Sequence, residues 1–331
     1  MREIAYRKFS LAAHLRGEAP ACQFELTYRC PLKCAHCYCS CFAGEAGMNP
    51  AEVRQCLDKL AAAGVLWLCL TGGDPLSRPD FPEIYDYAKS LGFIITIFTS
   101  GTLLAPETVK RLAKRPPFAL EITVNAAEPE LFDRLAGTPG AFRAVDAGIR
   151  RALAAGIAVK LKTQLMSENF AARREIKRYA QALGLRYNPS VKLFPGLDGS
   201  LSPCRLRLSP EQLACLERGN PGPPRLRRGG GLFRCAAAAC NSIHLNPRGE
   251  MFLCGFIRKP ASSLLKRGVA HCRKILLAAA RRLDRLPSPC SVCRMRNECM
   301  WCPGMAILET GSPQKPVDYC CRSAEALCAK G

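Results

Sequence analysis

Cys30-Pro-Leu-Lys-Cys34-Ala-His36-Cys37-Tyr38 places three cysteines within eight residues, just after a stretch, Cys22 to Thr27, that alternates apolar and polar like a strand. So short a loop can wrap one iron–sulfur cube. Three thiolates leave one of its four irons without a protein ligand, whereas clusters that only carry electrons usually have four cysteines. A vacant metal position separates catalytic from structural sites, because a substrate or cofactor atom can take it. Zinc knuckles and dithiol redox pairs favour Cys-x-x-Cys, and the three residues between Cys30 and Cys34 fit neither.

The pattern that follows alternates helix and strand. Helices are predicted at Pro50 to Ala63, Phe81 to Leu91, Pro106 to Lys114, Ala141 to Ala155 and Ala171 to Leu183. Strands are predicted at Val65 to Leu70, Phe93 to Phe98, Ala119 to Val124, Ile157 to Gln164 and Leu185 to Leu193. With Cys22 to Thr27, six strands alternating with helices argue for parallel βαβ units, hence an α/β fold with a partial (β/α)6 barrel over residues 21–195. In the first strand Cys22, Phe24 and Leu26 oppose Gln23, Glu25 and Thr27; in the fifth, Val159 and Leu161 oppose Lys160, Lys162 and Gln164. Helices must cover the apolar faces, so the polar faces point into the barrel. A purely structural barrel fills that space with Val, Ile and Leu; this one suits a polar cofactor. The alternative places Lys160 and Lys162 on an edge strand facing water.

Composition bounds the partners. A chain of 331 residues has room for one large and one small domain. No stretch approaches the ~18 to 20 apolar residues of a membrane span, and residues 1–20, a short lead-in, scatter charge too evenly for a secretory signal. A cytoplasmic protein is expected, and there the 21 cysteines read as metal ligands rather than disulfides. The formal charge of +21 favours an acidic partner. Aromatics make up only 7%, too few for base-stacking platforms beside the basic groups, which argues against nucleic acid.

At Cys30, Cys34 and Cys37 the chain resembles the radical S-adenosylmethionine (SAM) enzymes, whose signature is Cys-x3-Cys-x2-Cys after the first barrel strand. The resemblance implies that SAM chelates the open iron of a [4Fe–4S] cluster and is cleaved reductively to a 5′-deoxyadenosyl radical. His36 and Tyr38 fit the position that backs the adenine. Thr71-Gly72-Gly73-Asp74-Pro75 resembles the family's Gly-Gly-Glu-Pro, which binds the SAM amino group, with Asp74 for the usual Glu. Paired glycines at a strand's C-terminal end let the backbone approach a ligand closely. Thr99-Ser100-Gly101 resembles the family's Thr-Asn-Gly, and Asn125 holds the place of a Ser that contacts SAM. Gln164, ending the fifth strand, is a further expected SAM contact. Residues 130–142 also match the family pattern.

Residues 196–231 thin into a bridging segment with one predicted helix, Ser209 to Glu217, and a Gly/Pro-rich linker. Residues 232–331 are predicted to form a small, loop-rich domain stapled by Cys235, Cys240, Cys254, Cys290, Cys293, Cys299, Cys302 and the pair Cys320-Cys321. Zinc ribbons are one reading. The spacing also resembles the SPASM domain of peptide-modifying radical SAM enzymes, which holds two auxiliary [4Fe–4S] clusters. Asn246-Pro-Arg-Gly249 fits its hairpin turn before Cys254. By that resemblance Cys235, Cys240, Cys254 and Cys302 hold the nearer cluster. Cys290, Cys293, Cys299 and Cys320 hold the farther, with Cys321 as the alternative to Cys320. Among the remaining cysteines, Cys39 and Cys41 lie within reach of the cluster loop, while Cys56 and Cys69 read as core cysteines.

The implied function is oxidation of a C–H bond in a ribosomally made peptide to give a thioether or similar cross-link, with a flavodoxin or ferredoxin as one-electron reductant and, in keeping with the basic charge, an acidic leader on the substrate. Sulfatase maturation ranks lower, since those enzymes carry an Asp after the cysteine matching Cys254 and this chain has Gly255. Small-molecule oxidation ranks third. A non-catalytic metal-bearing module would leave Gly72, Gly73, Asp74 and the polar barrel interior unexplained.

Overall fold

The computed structural model describes residues 20–219, 231–233, 235 and 242–328. The lead-in before Pro20, most of the Gly/Pro-rich linker and Cys240 lie outside them.

Strands β1 (Ala21–Thr27), β2 (Trp67–Gly72), β3 (Ile94–Thr99), β4 (Ala119–Thr123), β5 (Val159–Gln164) and β6 (Tyr187–Ser190) form a parallel sheet in consecutive order. Helices α1 (Pro50–Ala62), α2 (Phe81–Ser90), α3 (Pro106–Lys114), α4 (Pro129–Ala136), α5 (Ala141–Ala154) and α6 (Arg173–Ala182) connect them. Each helix lays an apolar stripe on the sheet: α1 buries Val53, Cys56, Leu57 and Leu60, and α2 buries Phe81, Ile84, Tyr85 and Ala88. The sheet answers with Cys22, Phe24, Leu26, Leu68, Leu70, Ile95 and Ile97, at most 2% exposed. Glu25, Glu121 and Lys162 therefore take the inner face, as the alternation requires. Strand β5 is flanked on both sides, so its lysines are not on an edge. Both turn toward Glu121, at 2.7 Å from Lys162 and 3.7 Å from Lys160.

Three features depart from the sequence reading. The stretch 130–137, which carried only a family pattern, is a full helix, α4. Glu128 caps it, accepting from Glu130 N and Leu131 N at 2.8 and 2.6 Å, and Gly137 ends it at φ 61°. Among the described residues three further strands join the six expected ones in a nine-stranded sheet. Strand β7 (Ser242–Leu245) pairs parallel with β1 and continues through the antiparallel β8 (Glu250–Phe252) and β9 (Ser262–Ser263), so the C-terminal part extends the barrel sheet. Two to four residues are too few to show a period in sequence. The predicted turn does join β7 to β8, with Gly249 at φ 73°.

Helices occupy more of the C-terminal part than expected. After α7 (Pro210–Gly219) come α8 (Leu264–Arg267), α9 (Val269–Asp284), α10 (Pro289–Val292), α11 (Pro303–Thr310) and α12 (Asp318–Cys328). Helix α9 buries only Val269, Cys272, Leu276 and Ala280, a stripe of mostly small residues set among arginines, which is why its periodicity reads faintly. Among the described residues no helix is long and apolar enough to cross a membrane.

Candidate cluster-binding active site

Parallel strands bring their C-terminal ends to one rim, and the loop bearing Cys30, Cys34 and Cys37 leaves β1 there. Two neighbours hold it. Helix α4 receives it through Lys33 N to Ala136 O at 2.9 Å and Ala35 N to Leu135 O at 3.2 Å. The loop after β2 binds it through Gly73 N to Thr27 O at 2.7 Å and Asp74 N to Arg29 O at 2.8 Å. This second contact explains the glycine pair. A Cβ on Gly72 would stand 2.0 Å from Thr27 O, and one on Gly73 2.3 Å from Arg29 O. The close approach that the sequence signalled is thus made first to the cluster loop's own backbone.

Asp74 is fully buried and bridges two loops. Its Oδ1 accepts from Leu76 N at 3.0 Å, and its Oδ2 from Ser100 N, Ser100 Oγ and Thr99 Oγ1 at 2.9, 2.6 and 2.9 Å. Burial pushes its pKa up, while these donors pull it down. A SAM amino group would reach this carboxylate only in exchange for one of them.

His36, Asn125 and Gln164 converge. Asn125 Oδ1 accepts from Gln164 N at 2.8 Å, so its Nδ2 is the donor facing His36 Nε2 at 3.3 Å. The imidazole proton then belongs on Nδ1, which is buried with no hydrogen-bond partner among the described residues. Burial lowers the His36 pKa to about 4, so the ring is neutral. Gln164 gives its own amide hydrogens to Ser190 O and Leu165 O. Tyr38 packs edge-on against Phe256, ring centroids 5.3 Å apart.

Three observations bear on whether this donor set fits a cluster with SAM. The three thiols sense one another: the Cys34 pKa is pushed up to about 12 by burial first, then by Cys30 and Cys37. The His36 Nδ1–H waits for an acceptor at the same rim. The inner wall below is polar, with Lys162 Nζ over the Phe98 ring and against Glu121, and Cys69 beside both. Among the described residues no three such side chains close on a single ion; a cube takes each thiolate on a separate iron. The residues fit.

A family model of the Radical SAM superfamily matches residues 24–180. The chain carries a radical SAM domain. Over 165 residues it is 34% identical to the AdoMet-dependent heme synthase of Methanosarcina barkeri, covering 49% of this chain and 47% of that one. Over 172 residues it is 33% identical to mycofactocin maturase MftC of Mycobacterium tuberculosis, covering 50% and 43%. The chain thus spans less than half the length of these relatives. The structure of SuiB from Streptococcus suis bound to S-adenosylmethionine superposes with a TM-score of 0.70 at 15% identity, over 92% of this chain and 77% of that one, a likeness of fold.

Around the radical SAM domain the structure adds groups that sequence reasoning missed. Arg258 reaches from the C-terminal part to strand β1, donating to Glu25 Oε1 at 2.6 Å, Glu25 Oε2 at 2.9 Å and Tyr28 OH at 2.8 Å. The only signal was a Glu on an inward face, which needs a cation. Phe256 stacks on Phe194 at 3.5 Å and 6° and joins Tyr38 to the Cys254 loop. Cys39 is buried with its sulfur 3.6 Å from that of Cys37, and this hydrogen bond favours the Cys37 thiolate. Cys41 is exposed beside Asp198. Cys56 is a core cysteine as expected, but Cys69 lies on the inner wall with Lys162 and Glu121.

The C-terminal cysteines gather in two groups. Cys235, Cys254 and Cys302 neighbour one another, and burial first, then the other two thiols, push Cys254 up to about 11. Cys290, Cys293 and Cys299 line a separate chamber. Cys320 is fully buried, its sulfur 3.4 Å from Met305 Sδ.

Proposed function

We propose that this chain is a radical SAM enzyme that modifies a ribosomally made peptide, oxidising a C–H bond to form a thioether or similar cross-link. The observation that carries the reading is the convergence of the Cys30, Cys34 and Cys37 loop with the unpartnered His36 Nδ1–H at the C-terminal rim of a parallel barrel whose inner wall is polar. When bound, a [4Fe–4S] cluster and SAM supply a 5′-deoxyadenosyl radical that takes a hydrogen atom from the substrate.

The chain's own residues prepare that step. Cys30, Cys34 and Cys37 would hold three irons and leave the fourth to SAM. His36 Nδ1–H would donate to an acceptor atom of SAM, and its neutrality spares the site a second positive charge beside the sulfonium. Asp74, Ser100 and Thr99 fix the two loops that shape the SAM pocket, so its geometry is set before the cofactor arrives. Lys160, Lys162 and Glu121 would orient the polar groups of a substrate in the barrel. Cys235, Cys254 and Cys302, with Cys240, and the farther thiols would hold two auxiliary clusters. The first of these groups lies one aromatic contact, Tyr38 to Phe256, from the radical SAM loop.

Similarity to mycofactocin maturase MftC, a fold shared with SuiB and the two cysteine groups together support a peptide substrate; a flavodoxin or ferredoxin is the matching reductant. The test is anaerobic. Reconstituted protein with dithionite and SAM is expected to release 5′-deoxyadenosine, measured by chromatography, and the Cys34→Ala variant is not. Absence of the nucleoside from wild type with a full iron complement overturns the catalytic reading. With candidate precursor peptides, loss of two hydrogens by mass is expected. Turnover of a porphyrin instead would place the chain with the heme synthase.

A further inference from the structure

Cys320 and Cys321 are adjacent candidates for one ligand position, and the fold separates them. Both lie in α12, where neighbouring side chains point about 100° apart, so one helix face cannot present both. Cys321 lines the chamber with Cys290, Cys293 and Cys299, closed off by Trp301 and Ala324. Cys320 occupies another face. It is fully buried among Leu165, Leu208, Met305 and Val317, the core that seats the C-terminal helices. Among the chamber's thiols, the Cys320 sulfur interacts with that of Cys299, whereas Cys321 interacts with Cys290, Cys293 and Cys299. Rolling the helix to carry Cys320 into the chamber would pull it away from Val317, 1% exposed, and Met305 in that core.

We propose that Cys321, not Cys320, is the fourth thiolate of the distal site, so that Cys290, Cys293, Cys299 and Cys321 bind one [4Fe–4S] cube and Cys320 is a core thiol behind Cys299. This rests on the auxiliary-cluster reading of the C-terminal cysteines. Four thiolates leave no open iron, so the distal cube carries electrons and does not bind substrate.

The test uses the full chain with Cys30, Cys34 and Cys37 all changed to Ala, so that iron reports the C-terminal sites alone. After anaerobic reconstitution this parent is expected to hold about eight irons, two cubes' worth. Adding Cys321→Ala should lower the count to about four, or leave a three-iron cluster with its own paramagnetic resonance signal. Adding Cys320→Ala or Cys320→Val should change neither count nor signal. Loss of the distal cluster in a Cys320 variant whose circular dichroism matches the parent overturns the proposal, as does a Cys321→Ala variant that keeps both the parent's iron count and the parent's paramagnetic resonance signal. Should both Cys320 variants fail to fold, the Cys321→Ala count and resonance signal together decide alone. A parent that takes up no iron refutes the auxiliary-cluster reading itself, a result distinct from a wrong choice between the two thiols.

Discussion

Replacing Arg258 with Met should destabilise the fold strongly at neutral pH. Glu25 is 3% exposed. Its oxygens accept two hydrogen bonds from Arg258, at 2.6 and 2.9 Å, and one from Tyr28 OH at 3.0 Å. Met retains the apolar stem that lies over the Phe252 ring, so the change chiefly strands a buried carboxylate beside a single hydroxyl. Breaking a buried pair in this way costs about 3–5 kcal/mol. Anaerobic urea unfolding followed by circular dichroism at pH 7 measures it, with Glu25→Gln/Arg258→Met as the partner variant expected to regain most of the loss. A loss below about 1 kcal/mol, or a double variant no more stable than Arg258→Met alone, would refute the account of Glu25 as a carboxylate dependent on Arg258.

Gly73→Ala places a Cβ 2.3 Å from Arg29 O, so the cluster loop must shift; because a misplacement of about 1 Å costs on the order of a hundredfold in rate, 5′-deoxyadenosine formation should fall by about that factor with circular dichroism unchanged. Burial first, then Arg258, lowers the His244 pKa to about 4 from its ordinary 6.5. Its contribution to stability is therefore present above pH 6.5 and is lost as pH falls toward 4. The thermal midpoint of wild type should drop across that interval more steeply than that of His244→Gln, and parallel curves would refute the assignment.

Much of the site was legible because local chemistry dictates it. The Cys30, Cys34 and Cys37 spacing fixes how many thiolates one loop can offer, whatever surrounds it. The alternation in β1 and β5 fixes which side chains face inward, since helices can cover only one side of the sheet. What stayed hidden depends on contacts between residues far apart in sequence. Nothing near Glu25 announces Arg258, 233 residues away. Strand β7 gains its place only by pairing with β1, and α9 only by the surface that receives its small residues.

The sequence by itself determined the βαβ order, the cluster loop at the end of β1 and the polar lining of the barrel, all consequences of periods and spacings a few residues long. Tertiary structure decided what the glycine pair approaches, which donors the Asp74 carboxylate meets, where the His36 proton resides, and which of two adjacent thiols in α12 faces the distal chamber. Those outcomes turn on angles and distances between separate elements, and a one-residue step around a helix is enough to move a sulfur from core to cavity.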